Sequence, residues 1–484
     1  MAQPQAQQQP RSLTLIERSF RTVNLSSGPT ALRDGEYLEL ENLMPYGEGH
    51  LTVFPGPLKL IGEPDGSGIA ALWAFELGGT PYIVAQTGAG GVAMTPIQSP
   101  AWVAIASIGS TTVGGLHMTK WQATDAQGNP EAILWVDTVK GYGSLTGPVN
   151  TDWHVLAAGQ TGQCLEVYAG RVWIGTGQEV VYTAPDCYND FLAADYAGAF
   201  KVTDPSMNGP IIALRATQNW LYIIGSGMVA LNNVQVQNVA GSSALSTTFF
   251  ITPVSSSVGI TTDRASLVLD NILFLVTNTG LWAYRGLNGQ NIAQNMGDNF
   301  AGSQSLFAAQ VYARNLLITS AGYYLMVDSG QWFTTTADSL IWTSMATMIW
   351  QGVSGWVTDG VSVFKLGSDF TTVRNCVMHS KLFDAGNGAA NKRAVNAGFE
   401  LFQDGLQASP PTGRNVSGTW NLIGYTATSP SVNFGKLDVT QNAWVRGAVS
   451  MTDRYLGFQL NLSAPPSCAV GALMIQFQES TEWP

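Results

Sequence analysis

Seven stretches of the chain share one pattern: a short apolar segment, a turn built on Gly or Asn, and a second apolar segment. They are YIVAQTGAGGVAM from Tyr82, ILWVDTVKGYGSL from Ile133, RVWIGTGQEVVYT from Arg171, WLYIIGSGMVALN from Trp220, ILFLVTNTGLWAY from Ile272, LLITSAGYYLMVD from Leu316 and GWVTDGVSVFKLG from Gly355. Their starts lie 51, 38, 49, 52, 44 and 39 residues apart. A loose period of about 45 residues with a recognisable hairpin in each unit is the signature of a β-propeller blade, whose other two strands are less regular. A four-stranded blade cannot bury both its faces alone, so blades must stack radially and close into a ring. The aromatic residues near the hairpins (Trp135, Trp173, Trp220, Trp282, Tyr323) then belong between neighbouring blades. The same spacing of strands would also suit two or three stacked β-sandwiches.

Composition agrees with strands and turns. Only 11% of the 484 residues are charged, against about 25% in an ordinary globular chain. The apolar fraction is 45%, with 53 Gly to serve the turns and 15 Trp, 15 Tyr and 19 Phe to suit pleated surfaces. Almost no sustained helical periodicity is present. After Thr371 the strands lengthen and alternate more plainly: Leu456, Phe458, Leu460 and Leu462 fall on one face, with Tyr455, Gly457, Gln459 and Asn461 on the other. The expected fold is therefore all-β: a β-propeller of six to seven blades over 66–374 and a C-terminal β-sandwich-like domain over 375–484. A Gln- and Pro-rich flexible arm is expected at 1–12 and opening strands or a hairpin at 13–65, with SPPTGRN near Pro410 as a loop.

The charge balance, −11, and the lack of any Lys/Arg-rich run argue against a surface that grips nucleic acid through its phosphates. Cys164, Cys187, Cys376 and Cys468 are far apart, without CxxC or a nearby His at zinc-ligand spacing, and are expected to be buried free thiols. The N-terminus lacks the apolar core of a secretory signal, so the sequons at Asn24, Asn415 and Asn461 are expected to be incidental. No apolar run approaches the roughly 20 residues that span a bilayer.

Chemistry is sparse. His50, His117, His154 and His379 stand in no recognisable nucleophile or metal context, and there is no HExxH, GxSxG or P-loop. GTGQE and TGAGG lie inside hairpins rather than between a strand and a helix, so they read as tight turns. Glycoside hydrolysis needs two carboxylates roughly 5–10 Å apart across the substrate. Glu39 and Glu41 share a strand face, but Glu36–Glu41 reads as a plain alternation of solvated and buried positions. Asp186 and Asp190 read as turn acids, and VDSGQWFTT near Asp328 is a single approach to the repeated Asp-containing turn of sialidases. No catalytic, cofactor-binding or metal-binding residue is assigned, no cofactor is expected, and the chain is expected not to be an enzyme.

The stretch from Asp34 to Pro57, DGEYLELENLMPYGEGHLTVFPGP, follows an Ala-Leu at Ala31. With Gly35-Glu36, Glu41-Asn42, a Gly-containing turn, Leu51 and Pro55-Gly56, it resembles the opening of the tail nozzle proteins of short-tailed (podovirus-type) bacteriophages, a group that includes the packaged-DNA stabilisation proteins. Where that pattern often carries Arg before Pro-Gly, this chain has Phe54. VVYTAPDCYNDF from Val180 resembles a recurring strand-then-turn of the same group. The order of arm, opening strands, propeller and C-terminal β-module also matches, along nearly the whole chain.

The resemblance implies a structural virion protein of the phage tail, assembled in the host bacterial cytoplasm. It implies a homo-oligomeric ring, commonly a hexamer, that extends the DNA channel below the portal and adaptor proteins of the head–tail connector complex. Such a ring retains packaged double-stranded DNA, passes it at ejection without sequence-specific contact, and docks tail fibre or needle proteins. An acidic balance suits a lumen that repels phosphate. The alternative is a propeller that binds or hydrolyses glycans as a receptor-directed tail protein.

Overall fold

The computed structural model describes residues 12–480 except 47–48, 106, 108, 239–244, 298–299, 301–304, 336–341, 350, 387, 407–414, 439–441 and 467. The expected arm at 1–12, apart from Ser12, and the SPPTGRN loop, apart from Asn415, which begins a strand, lie outside the described residues.

Each of the seven repeated hairpins is the middle pair of strands of one blade. In blade two, for example, Ala132–Asp137 and Gly141–Leu145 pair centrally between Leu116–Trp121 and Trp153–Ala157. Blades one to six span 69–104, 116–157, 164–201, 213–255, 266–291 and 306–334. Blade seven is built from 344–369 and closed on its outer side by the N-terminal strand Gly56–Gly62, which pairs antiparallel with Ser362–Asp369. Segments from before blade one and after blade six thus share one blade, which locks the ring. The first strand of each blade lies innermost.

Why the middle strands read as continuous apolar runs is visible in Ala132–Asp137, all six residues of which are buried. Ile133 and Trp135 pack toward blade one with Val84 and Met94, while Ala132, Leu134 and Val136 pack toward blade three with Val172 and Ile174. Both faces are interior, so the alternation expected of a half-exposed strand disappears. Trp135 stacks on Trp153 at 4.7 Å, and Trp173 sits between blades three and four.

The C-terminal part is a sandwich of two sheets. In one, Ala443–Asp453, Asn391–Gln403 and Cys468–Ser480 pair in that order and the hairpin Leu43–Tyr46/His50–Val53 adds to the last. In the other, Glu36–Glu41, Arg374–Ser380, Gly457–Ala464, Asn415–Ile423 and Val432–Asp438 follow one another. Phe458, Leu460 and Leu462 are buried as the alternation predicts. The strands of 13–65 are divided between the two parts: Ser12–Glu17, Glu36–Glu41 and the hairpin join the sandwich, and Gly56–Gly62 joins blade seven. Blade six continues without a break into the second sandwich sheet, because Glu41 lies in parallel register with Thr334 of its outermost strand.

Glu36–Glu41 departs from the plain alternation expected of it. Its register against Arg374–Ser380 shifts between Tyr37 and Glu39, and the irregularity allows Tyr37 and Leu40, three apart, both to point into the core.

Candidate functional site

The innermost strands of all seven blades line a central cavity of about 360 Å³. Ionisable residues from three of these strands face it: His117 from blade two, Glu166 from blade three and Arg215 from blade four. A single 3₁₀ turn, Asp263–Ala265, leads into blade five and reaches this axis. There Asp263 Oδ2 lies 2.9 Å from His117 Nδ1, across the ring from blade five to blade two. Arg215 donates through Nη2 to the Asp263 carbonyl at 2.6 Å and through Nε to the Ser266 carbonyl at 3.3 Å. Arg264 donates to Ser344 Oγ of blade seven and lies 5.7 Å from the Trp73 ring centroid of blade one. Ser344 Oγ in turn accepts from the Leu72 amide of blade one at 3.0 Å. The turn therefore ties blades one, two, four, five and seven together across the axis.

Burial acts to raise the Asp263 carboxyl's pKa, but the His117 hydrogen bond and charge and the Arg215 and Arg264 guanidiniums outweigh it and hold the group below the usual carboxylate range. Glu166 behaves oppositely. Burial raises it, and the Arg215 charge with hydrogen bonds from the Val167 amide (2.9 Å) and Thr119 hydroxyl (3.2 Å) offsets that only in part. Two carboxylates with opposite shifts in one cavity are the arrangement from which acid–base pairs are made. Both are already engaged by protein donors.

A second cluster joins propeller to sandwich. Asn42, buried in the left-handed conformation at φ 55°, follows Glu41 in the stretch that carries the family resemblance. Its amide donates to the Thr334 carbonyl of blade six (2.8 Å), and its side chain donates to the Asn375 carbonyl (2.7 Å) and accepts from Arg374 (3.0 Å). Its own carbonyl receives the Phe54 amide at 2.9 Å. Asn tolerates this backbone geometry better than other residues bearing a side chain, which gives the position its chemistry. Phe54 packs against Tyr324 and Phe333 of blade six, each at 5.3 Å, so an apolar ring fits here.

The residues weighed from sequence are scattered. Glu39 faces His379 across the strand pair, and its pKa is raised by burial and then by Glu41. Asp186 takes a left-handed turn conformation, and Asp190 Oδ1 accepts from the Leu192 amide at 2.8 Å. His50 packs on Phe402, and burial lowers its pKa and that of His379. All four cysteines are buried free thiols, with Cys164 and Cys468 pushed up to about 12 by burial. Among the described residues no group of three or more His, Cys, Asp or Glu is placed to hold a metal ion, and no helix is long and apolar enough to cross a membrane.

Sequence reasoning singled out none of Glu166, Arg215, Asp263 and Arg264, and gave His117 no partner. The available signal was a charge inside a short apolar strand just upstream of a repeat unit, as in CLEVY and ALRA.

No family model matches the chain, and no curated protein does. Among solved structures the chain is similar to BamB from Moraxella catarrhalis, with 10% identity over 73% of this chain and 98% of that one, at a TM-score of 0.38. It is also similar to BBS1N in complex with ARL6DN (10% identity, 65% and 98%, TM-score 0.40) and to the computationally designed Ika8 protein (10%, 64% and 100%, TM-score 0.37). Its own strand order defines it as an all-β chain with a seven-bladed propeller among the described residues.

Proposed function

We propose that this chain is a structural subunit of a phage tail nozzle: a ring, expected to be hexameric, that extends the DNA channel below portal and adaptor, retains packaged DNA and passes it at ejection. The observation that carries the reading is where the resembling segment lies. Asp34–Pro57 supplies the strand that fuses sandwich to blade six, the buried Asn42 that pins the junction, and the approach to the strand that closes blade seven. A part that bears mechanical load in a pressurised tail needs such a junction. The narrow axis supports the same reading: a cavity of about 360 Å³, crossed by the Asp263–Ala265 turn, offers no path to duplex DNA, whose major groove alone is about 12 Å wide, so DNA would pass between copies.

Negative-stain imaging of the purified chain over a range of concentrations, with native mass on the same samples, tests this. Closed rings with a hole wider than duplex DNA are expected, alone or on a portal–adaptor complex. Single discs under both conditions overturn it.

Glu166 and Asp263 favour a second reading, a glycan-cleaving propeller. Hydrolysis of fluorogenic glycosides, lost in Glu166→Gln, supports that reading; absence of turnover is the outcome expected here.

A further inference from the structure

Among the described residues the outer edges of the propeller blades are short, paired or charged, with one exception; the sandwich's own long edge, Ala443–Asp453, carries Arg446 and Asp453. The outermost strands of blades one, two, three and five have 2, 5, 4 and 4 residues. That of blade six has 4 residues and pairs at Thr334 with Glu41, and that of blade seven carries Lys59. Blade four instead ends in Leu245–Ser255, 11 residues long, and no other strand pairs with its outer side among the described residues. The stretch from Ala216 to Thr262 contains no Asp, Glu, Lys, Arg or His at all. Long uncharged edges are templates for further pairing, and monomeric proteins avoid them.

The edge is held rigid from behind. Phe249 packs on Phe200 (4.7 Å), Trp173 and Tyr182 (6.0 Å each) of blade three, and Arg171 donates to Thr247 Oγ1 at 2.9 Å. Its other face presents Phe250, 64% exposed, opposite Asn232, and Thr248 opposite Gln235. A basic partner would be drawn to acidic surface elsewhere on a chain of net charge −11. A partner carrying the same −11 can approach only where charge is missing. A second copy is that partner.

We propose that the outer edge of Leu245–Ser255, centred on Phe250, is a contact between copies of this chain. The proposal rests on the nozzle reading, which requires a head-to-tail contact between subunits, and it locates one side of that contact.

The test uses the full chain, with native mass and hydrogen exchange measured across concentration, alone and with a portal–adaptor complex. On association the amides of 245–255 should exchange at least tenfold more slowly. Phe250→Glu should weaken association at least tenfold while leaving the monomer's melting unchanged, and Phe250→Leu should restore it. Rings that form equally well from Phe250→Glu, with exchange in 245–255 unchanged, overturn this inference and leave the nozzle reading standing. A two-fold dimer sensitive to Phe250→Glu, never proceeding to rings even on the complex, supports the contact and overturns the nozzle. A wild-type chain monomeric under every condition overturns both.

Discussion

Asp263 is surrounded by His117, Arg215 and Arg264, and the sign of its pKa shift makes it a stabilising charge. Because its folded-state pKa is depressed, its contribution is present above the ordinary carboxylate range near pH 4 and is lost as pH falls below it. Asp263→Asn should cost about 2 kcal/mol at pH 7, measured by urea denaturation, because it leaves cations facing one another in a partly buried site. Asp404 carries the opposite sign. Burial raises its pKa to about 6, opposed in part by the Leu406 amide at 2.9 Å. The folded state then binds a proton more tightly than the unfolded chain, so stability should fall as pH rises from about 4 to about 6. Asp404→Asn should remove that slope and gain about 1 kcal/mol at pH 7, allowing for screening of a partly exposed group. A stability profile over pH 4–7 identical to that of the parent chain contradicts the assignment.

At the scale of the element, blade two shows how tightly one hairpin is fitted to its neighbours. A methyl group on Gly143 would stand 2.0 Å from the His154 carbonyl oxygen and 2.2 Å from the Trp135 ring, which lies over it. Gly143→Ala should therefore cost about 2–3 kcal/mol through overpacking. Gly177→Ala, in open space at φ +57°, should cost about 1 kcal/mol through backbone strain alone. Urea midpoints in which Gly177→Ala is the worse variant would contradict the packing of Trp135.

The same hairpins explain what was legible in the sequence. Middle strands such as Ala132–Asp137 are apolar on both faces, so every blade announced its second and third strands. Some innermost strands, such as Cys164–Tyr168 and Ala213–Ala216, are short and set a charge among apolar residues, and so carried no period. The alternation assumed for Glu36–Glu41 failed because a bulge is set by the partner strand, Arg374–Ser380, which local sequence does not encode. The axial cluster was illegible for a related reason: Asp263 and His117 meet only after the chain between them has laid down blades two, three and four.

Closure of the whole molecule depends on segments far apart in sequence. Ile61 pairs with Val363, Lys59 with Phe364 and Leu58 with Lys365, and the Trp102 indole N–H donates to the Gly62 carbonyl at 2.7 Å, so the closing strand touches blade one as well as blade seven. The same N-terminal region supplies four strands to the sandwich, one of which, Glu36–Glu41, bridges it to blade six. The two parts are also joined by one buried cluster that runs from Phe274, Phe307 and Val357 of the propeller to Phe399, Trp420 and Phe458 of the sandwich, so they are expected to unfold together. A chain beginning at Ile69 would lack the closing strand and the four sandwich strands together. It would expose Val363, now buried, and leave the edge of the second sandwich sheet at Arg374–Ser380 unpaired, where Cys376 and Met378 are now buried. Such a chain should lose its single cooperative melt and be cut rapidly by protease within 344–369 and 374–480. A chain beginning at Ser12 keeps every pairing described here and should match the full chain's midpoint. One sharp transition at an unchanged midpoint for the chain beginning at Ile69 would mean that the ring closes without Gly56–Gly62, leaving the resembling segment no structural role at the junction.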